Sequence, residues 1–186
     1  MDFLWVGNHP GIDLCNTVPV VEGVAGELLA EPGDLAAWLD AVRPVPRPAG
    51  HRPDRSTLAW VRRLREALRS VLTAGTDRQR ELDALNSILG ELSGVPFVDA
   101  SGKLELRSAN AQEQIRLELA SMAIDACGLP SDRVRCCANP RCVLLFHDVS
   151  KSGSRRWHDM AICGNQAKAA AHHARVKGHR EDQRVR

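Results

Sequence analysis

Apolar positions recur along this chain at two spacings, and the changes between them mark out its elements. From residue 55 to 74, Leu58, Val61, Leu64, Leu68, Val71 and Leu72 fall three and four apart, the period of one helix face. Arg62, Arg63, Arg65 and Arg69 then occupy the other faces. Gly75 ends this helix, and Asp77 is placed to cap a second that buries Leu82, Leu85, Ile88, Leu89 and Leu92, with Gly94 just past its end. The leucine spacing covers too few heptads for a zipper and predicts core packing instead. A third helix, over residues 110–127, buries Ile115, Leu119, Met122, Ala123 and Ala126 before Gly128-Leu129-Pro130 stops it. A shorter one, LAAWLDAV, follows Asp34 as its N-cap and turns Trp38 and Leu39 inward.

Alternation and turn residues mark the strands. VPFVDASGKLELRS reads as a hairpin turning at Ser101-Gly102. VRCC is a short strand, and VLLFHDV returns through the turn KSGS to a strand RRWH. At the start, FLWVGNHPGIDLCNTV alternates and is broken by Gly7-Asn8 and Pro10-Gly11, which predicts strand–turn–strand. Asp13 and Asn16 at its end are then turn or capping residues satisfied by local backbone. RPVPRPAGHRPD, with its prolines, is a surface loop. Together these elements give an α+β chain: a mostly helical N-terminal domain with short hairpins over 1–130, a small C-terminal unit over 131–178, and a disordered basic tail over 179–186.

Composition refines this picture in two ways. Aromatics make up 4% of the 186 residues and Tyr is absent, so Leu, Val, Ile and Ala must fill the core. No apolar run reaches the length of a membrane-spanning helix, so no membrane partner is expected. The net charge of +2 hides an asymmetry: residues 131–186 hold 12 Lys/Arg against 5 Asp/Glu, whereas residues 1–130 hold 13 against 18. The basic end points to a partner of negative charge, or else to a solubilising tail.

Candidate chemistry concentrates in the same basic end. Cys137 and Cys142 flank the turn pair Asn139-Pro140, and His158 and Cys163 follow after the expected hairpin. Three thiolates and one imidazole form a Cys3His set, a usual closed shell for one structural zinc. The alternatives are buried apolar cysteines or disulfide partners. The opening MDFLWVGNHPGIDL has neither a basic start nor a long apolar run, so it reads as cytoplasmic, where thiols stay reduced and clustered Cys and His favour metal. Cys136 rivals Cys137, while Cys15, Cys127 and Cys136 are otherwise expected to pack as small apolar side chains. No phosphate-binding glycine loop, nucleophile elbow or His-Glu-x-x-His pair occurs, and the chain is not expected to be an enzyme.

The stretch RCCANPRCVLLFHDVSKSGSRRWHDMAICGNQAKAAAHHAR resembles the CGNR zinc finger, a bacterial domain named for the run after its last cysteine ligand. The likeness covers the knuckle, Phe146-x-Asp148-x-Ser150, Arg155-Arg156-Trp157, Met160, Cys163-Gly164-Asn165 and Lys168. It implies a treble-clef-like finger and favours Cys137 over Cys136 in the ligand set. Residue 158 is His where many relatives have Cys, and residue 166 is Gln where the name has Arg. The opening of the chain, with ELLAEPGDLAAWL, resembles the ABATE domain that usually precedes this finger. There Asp13 and Asn16 belong to the motif, which implies a ligand pocket between them.

Function is expected on the helix after the last cysteine. Lys168, His172, Arg175 and His179 fall on one helical stripe, and Lys151, Arg155 and Arg156 lie on the preceding turn and strand. With Gln166 these form the expected nucleic-acid surface. The resemblance implies a stress-related transcription regulator binding DNA through the finger, while the separate core and acidic balance of the N-terminal half suggest sensing of a small-molecule or protein effector, or assembly as a homodimer. A zinc-stapled protein-interaction or RNA-binding module is the alternative; a metalloenzyme needs an open metal position that four protein ligands do not leave.

Overall fold

The computed structural model describes residues 3–21, 24–42, 52–102 and 104–170. Most of the proline-rich loop, the tail, His172, Arg175 and His179 lie outside the described residues. In chain order the elements are α1 (Pro10–Cys15), β1 (Val20–Val21), β2 (Val24–Ala25), α2 (Pro32–Val42), α3 (Arg55–Thr73), α4 (Arg78–Leu89), β3 (Val95–Val98), β4 (Leu104–Arg107), α5 (Ala111–Cys127), β5 (Val134–Cys136) and β6 (Leu145–His147). A π-helical turn, Met160–Gly164, then runs into helical residues through 170. The arrangement is α+β, as expected.

Helix α3 is the central beam. The Asp54 carboxylate accepts the Thr57 N–H at 2.6 Å and caps its start. Its buried face carries Leu58, Val61, Leu64, Leu68 and Val71, against which α4 and α5 pack. Asn110 caps α5 through the N–H groups of Gln112 and Glu113. In α2 the start lies three residues earlier than expected. Pro32 occupies the first turn, and Asp34 is inside the helix, its carboxylate reaching back to the Glu31 N–H at 2.8 Å.

Further expectations are corrected. The opening segment is a helix rather than strand–turn–strand. Pro10 needs no N–H in a first turn, and His9 Nδ1 accepts the Gly11 N–H at 3.1 Å, so the apparent turn pair is a helix start. A side chain at Gly11 would meet the Met122 carbonyl at 2.5 Å, because α1 crosses α5 there. Arg65 does not sit on an outer face: it is buried, with its guanidinium on both Glu27 oxygens at 2.8 and 2.7 Å and on Thr17 Oγ1 at 3.0 Å. Cys136 is exposed rather than packed, whereas Cys15 is buried as expected.

The strands form three antiparallel pairs: β1 with β2, β3 with β4 and β5 with β6. The hairpin expected between VLLFHDV and RRWH does not form. Residues 155–158 adopt no strand, and β6 pairs with β5, Cys136 opposite Leu145, so the knuckle becomes the loop of that hairpin. Leu145 is fully buried in the helical core and Val134 packs against it. The finger is thereby seated on α1 and α3.

Candidate metal centre

The centre is assembled from three local devices. The first is the loop between β5 and β6. Cys137 N–H donates to the Leu144 carbonyl at 2.9 Å, and Cys142 N–H to the Asn139 carbonyl at 2.9 Å. Asn139 is buried; its Oδ1 accepts the Arg141 N–H at 3.0 Å, and its Nδ2 donates to Gln166 Oε1 at 2.9 Å.

The second device is the turn after β6. Buried Asp148 accepts the Ser150 N–H at 2.9 Å and the Arg155 N–H at 2.8 Å, pinning both ends of the turn. Its carboxyl is held down at about 2, first by the Ser150 side chain and then by these two amides, although burial works the other way. Gly153 takes a φ of +59°, and a side chain there would strike the Arg133 guanidinium at 2.6 Å. Arg133 in turn donates to the Asp148 and Ser150 carbonyls at 3.3 and 2.8 Å. Arg155 stands 5.1 Å over the Phe146 ring and donates to the Trp157 carbonyl at 2.9 Å and to the His158 carbonyl. It therefore orients the histidine ligand.

The third device is the helix start. Asp159 caps the π-helical turn by accepting the Ile162 N–H at 2.9 Å, which places Cys163 in the first turn. A π-type start widens the helix where the ligand must project.

These devices bring Cys137, Cys142, His158 and Cys163 together, with one ligand atom from each lying within 4.8 Å of all the others. Cys142 Sγ and His158 Nδ1 are 3.5 Å apart. A tetrahedral zinc with ordinary bond lengths separates a sulfur from a nitrogen ligand by about 3.6 Å, so the spacing fits that ion. The charge balance fits as well. Burial pushes the Cys142 thiol up to about 12, with Cys137 and Cys163 adding to the rise, and Cys163 is also raised by burial. Three sulfurs clustered this closely, two of them in buried residues, do not ionise together without a cation between them, and a divalent ion supplies it. Burial lowers His158, which keeps the imidazole neutral as a ligand must be. The cluster excludes Cys136.

The other expected residues lie as follows. Lys151, Arg156, Gln166 and Lys168 are exposed, while Arg155 is half-buried and committed to the contacts above. His172 and Arg175 fall outside the described residues. Asp13 and Asn16 are buried in α1 and just past it. Asn16 exchanges two hydrogen bonds with the Leu145 main chain, both 2.9 Å. Asp13 accepts the Gly7 N–H at 2.7 Å, and burial raises its carboxyl to about 6 against the hydrogen bonds from Gly7 and Val6. Gly7 O accepts the His147 N–H at 2.8 Å, so the opening segment lies alongside β6.

Sequence reasoning missed the bracing of Asn139, Arg133 and Arg155. Only Asn139, in a turn pair between two ligands, carried any signal of it. Among the described residues no helix is long and apolar enough to cross a membrane.

No curated protein matches the chain. Two family descriptions do match, and they divide it between them. Residues 8–131 match ABATE, described as a putative stress-induced transcription regulator, and residues 133–176 match the CGNR zinc finger. The chain belongs to the ABATE family and carries a CGNR zinc finger whose Cys137, Cys142, His158 and Cys163 fit one structural zinc.

Proposed function

We propose that this zinc-binding regulator acts on DNA, with the finger as the docking unit and the helical part as the effector-sensing unit. The observation that carries the reading is how the cations are used. In the helical part Arg62, Arg65 and Arg63 pair with Glu27 and Glu91. On the finger, Lys151, Arg156 and Lys168 are exposed, and among the described residues no carboxylate pairs with them. Cations without acidic partners, held on the segments that flank a rigid metal centre, suit phosphate oxygens. Arg155 contributes by holding His158, so Arg156 carries the phosphate contact of that pair.

Gln166 offers an amide to a base edge, its Nε2 being available while its Oε1 is held by Asn139. Coupling to an effector runs through Asn16: a ligand that moves α1, at Asp13 or elsewhere, moves β6 with it. Four protein ligands leave zinc no open position, so the metal acts as a staple rather than as a catalytic centre.

Fluorescence anisotropy of a random-sequence duplex, with zinc-loaded and chelated protein, tests the proposal. The zinc-loaded chain is expected to bind with a dissociation constant of roughly 1–100 μM at physiological salt and more tightly at low salt, and chelation should abolish binding. Absence of binding by zinc-loaded protein at low salt favours a protein partner instead.

A further inference from the structure

The β3–β4 hairpin stands apart from the helical core in its exposure. Every β3 residue is exposed, and Val95, Val98, Leu104 and Leu106 keep between 48 and 70% of their surface. In the register Val98 to Leu104 and Pro96 to Leu106, one whole face is apolar: Pro96, Val98, Leu104 and Leu106. The opposite face carries Phe97, Glu105 and Arg107, with Arg107 stacked 3.5 Å from the Phe97 ring and paired to Glu105 at 3.1 Å. A lone two-stranded hairpin is marginal in water, and a contiguous exposed apolar face marks an interaction surface. Its two edges differ. Pro96 interrupts β3 because it has no N–H, whereas β4 keeps every N–H and, among the described residues, makes no main-chain bond beyond β3.

We propose that β4 is a homodimerisation edge, where it pairs antiparallel with β4 of a second copy about a two-fold axis at Leu106, giving a four-stranded sheet. This goes beyond the DNA reading and does not depend on it. The argument for a second copy is charge self-complementarity. With Leu106 opposite its symmetry mate, Glu105 of each chain faces Arg107 of the other, and both cross-chain pairs are attractive. Centring on Glu105 or Arg107 sets like charges opposite each other. A one-residue slip sets a charge among the leucines. This register therefore satisfies both faces, and it unites the two Pro96/Val98/Leu104/Leu106 faces into one continuous apolar surface.

Sedimentation equilibrium of the full, nucleic-acid-free chain from low to high micromolar concentration is the test. The mass should climb from 20.4 kDa towards twice that value. Glu105→Arg reverses both cross-chain pairs at once and should weaken the dimer about tenfold. Glu105→Arg combined with Arg107→Glu restores complementarity and should restore the dimer. A monomer at every concentration, with the edge left bare or taken by another molecule, overturns the proposal. So does a dimer indifferent to Glu105→Arg, or a double variant as weak as the single one.

Discussion

The buried amide of Asn139 donates to Gln166 Oε1 at 2.9 Å, joining the zinc knuckle to the last helix. Its Oδ1 is already taken by the Arg141 N–H. Only an acceptor at 166 completes this amide, and the arginine of the family's name offers donors alone. Gln166→Arg should therefore leave a buried donor unpaired, at a cost of about 1–3 kcal/mol. Competition with a chromogenic chelator should show zinc lost more readily, by roughly tenfold, while Gln166→Glu holds it as wild type does. Unchanged zinc retention in Gln166→Arg contradicts the bracing role.

Asn16 reaches 129 residues along the chain to satisfy both main-chain groups of Leu145. Asn16→Ala strips partners from two buried groups, and a loss of about 2–4 kcal/mol is expected from urea unfolding of zinc-loaded protein. Hydrogen exchange should accelerate across 134–147 more than across α3. A uniform change along the chain contradicts the clamp.

Asp13 gives a pH signature. Its carboxyl rises from 3.8 to about 6 on folding, mainly through burial. A carboxyl raised in the folded state stabilises when protonated, so its contribution is full below 3.8 and lost as pH rises through 6. In Asp13→Asn the Oδ1 that accepts from Gly7 is kept and the charge is removed. Relative to wild type, the variant should melt roughly 2–4 °C higher above that window, as expected for about 1 kcal/mol after solvent screening, and equally below it. Comparing the two proteins at each pH removes the effect of acid on the zinc ligands. A pH-independent difference sinks the assignment.

Metal removal should be felt beyond the ligands. One zinc per chain is expected by elemental analysis, and Cys142→Ser should lower its occupancy. Structural zinc contributes about 10–16 kcal/mol in small fingers. Chelation should therefore release amide protection over 137–165 and loosen Leu145 in the core, while α3 and α5 stay protected. If the finger keeps its protection without metal, the staple account fails.

The sequence was most readable where one physical signal dominated. Apolar spacing located α3 and α5 because their buried faces are long, and Ser101-Gly102 located the β3–β4 turn. The metal quartet was readable because soft ligands cluster around a turn pair. Elements decided by distant partners were not readable. Helix α1 has six residues, too few for a period, and its Pro-Gly start resembles a turn until α5 is seen to need the glycine. Arg65 resembled any surface arginine until Glu27 and Thr17 closed on it. Strand β6 was expected to pair forward with RRWH; Asp148 and Arg155 tie that return into a turn, and β5 takes the ladder instead.

Salt dependence of DNA affinity measures the central claim most directly. On duplex DNA each phosphate contact lowers log affinity by about 0.9 per unit log salt. Zinc-loaded wild type titrated against a random duplex at several salt concentrations should give a steep line, with Arg156→Ala weaker towards every sequence and shallower by about one unit. Superimposable, salt-insensitive lines for the two proteins would contradict DNA binding through the finger.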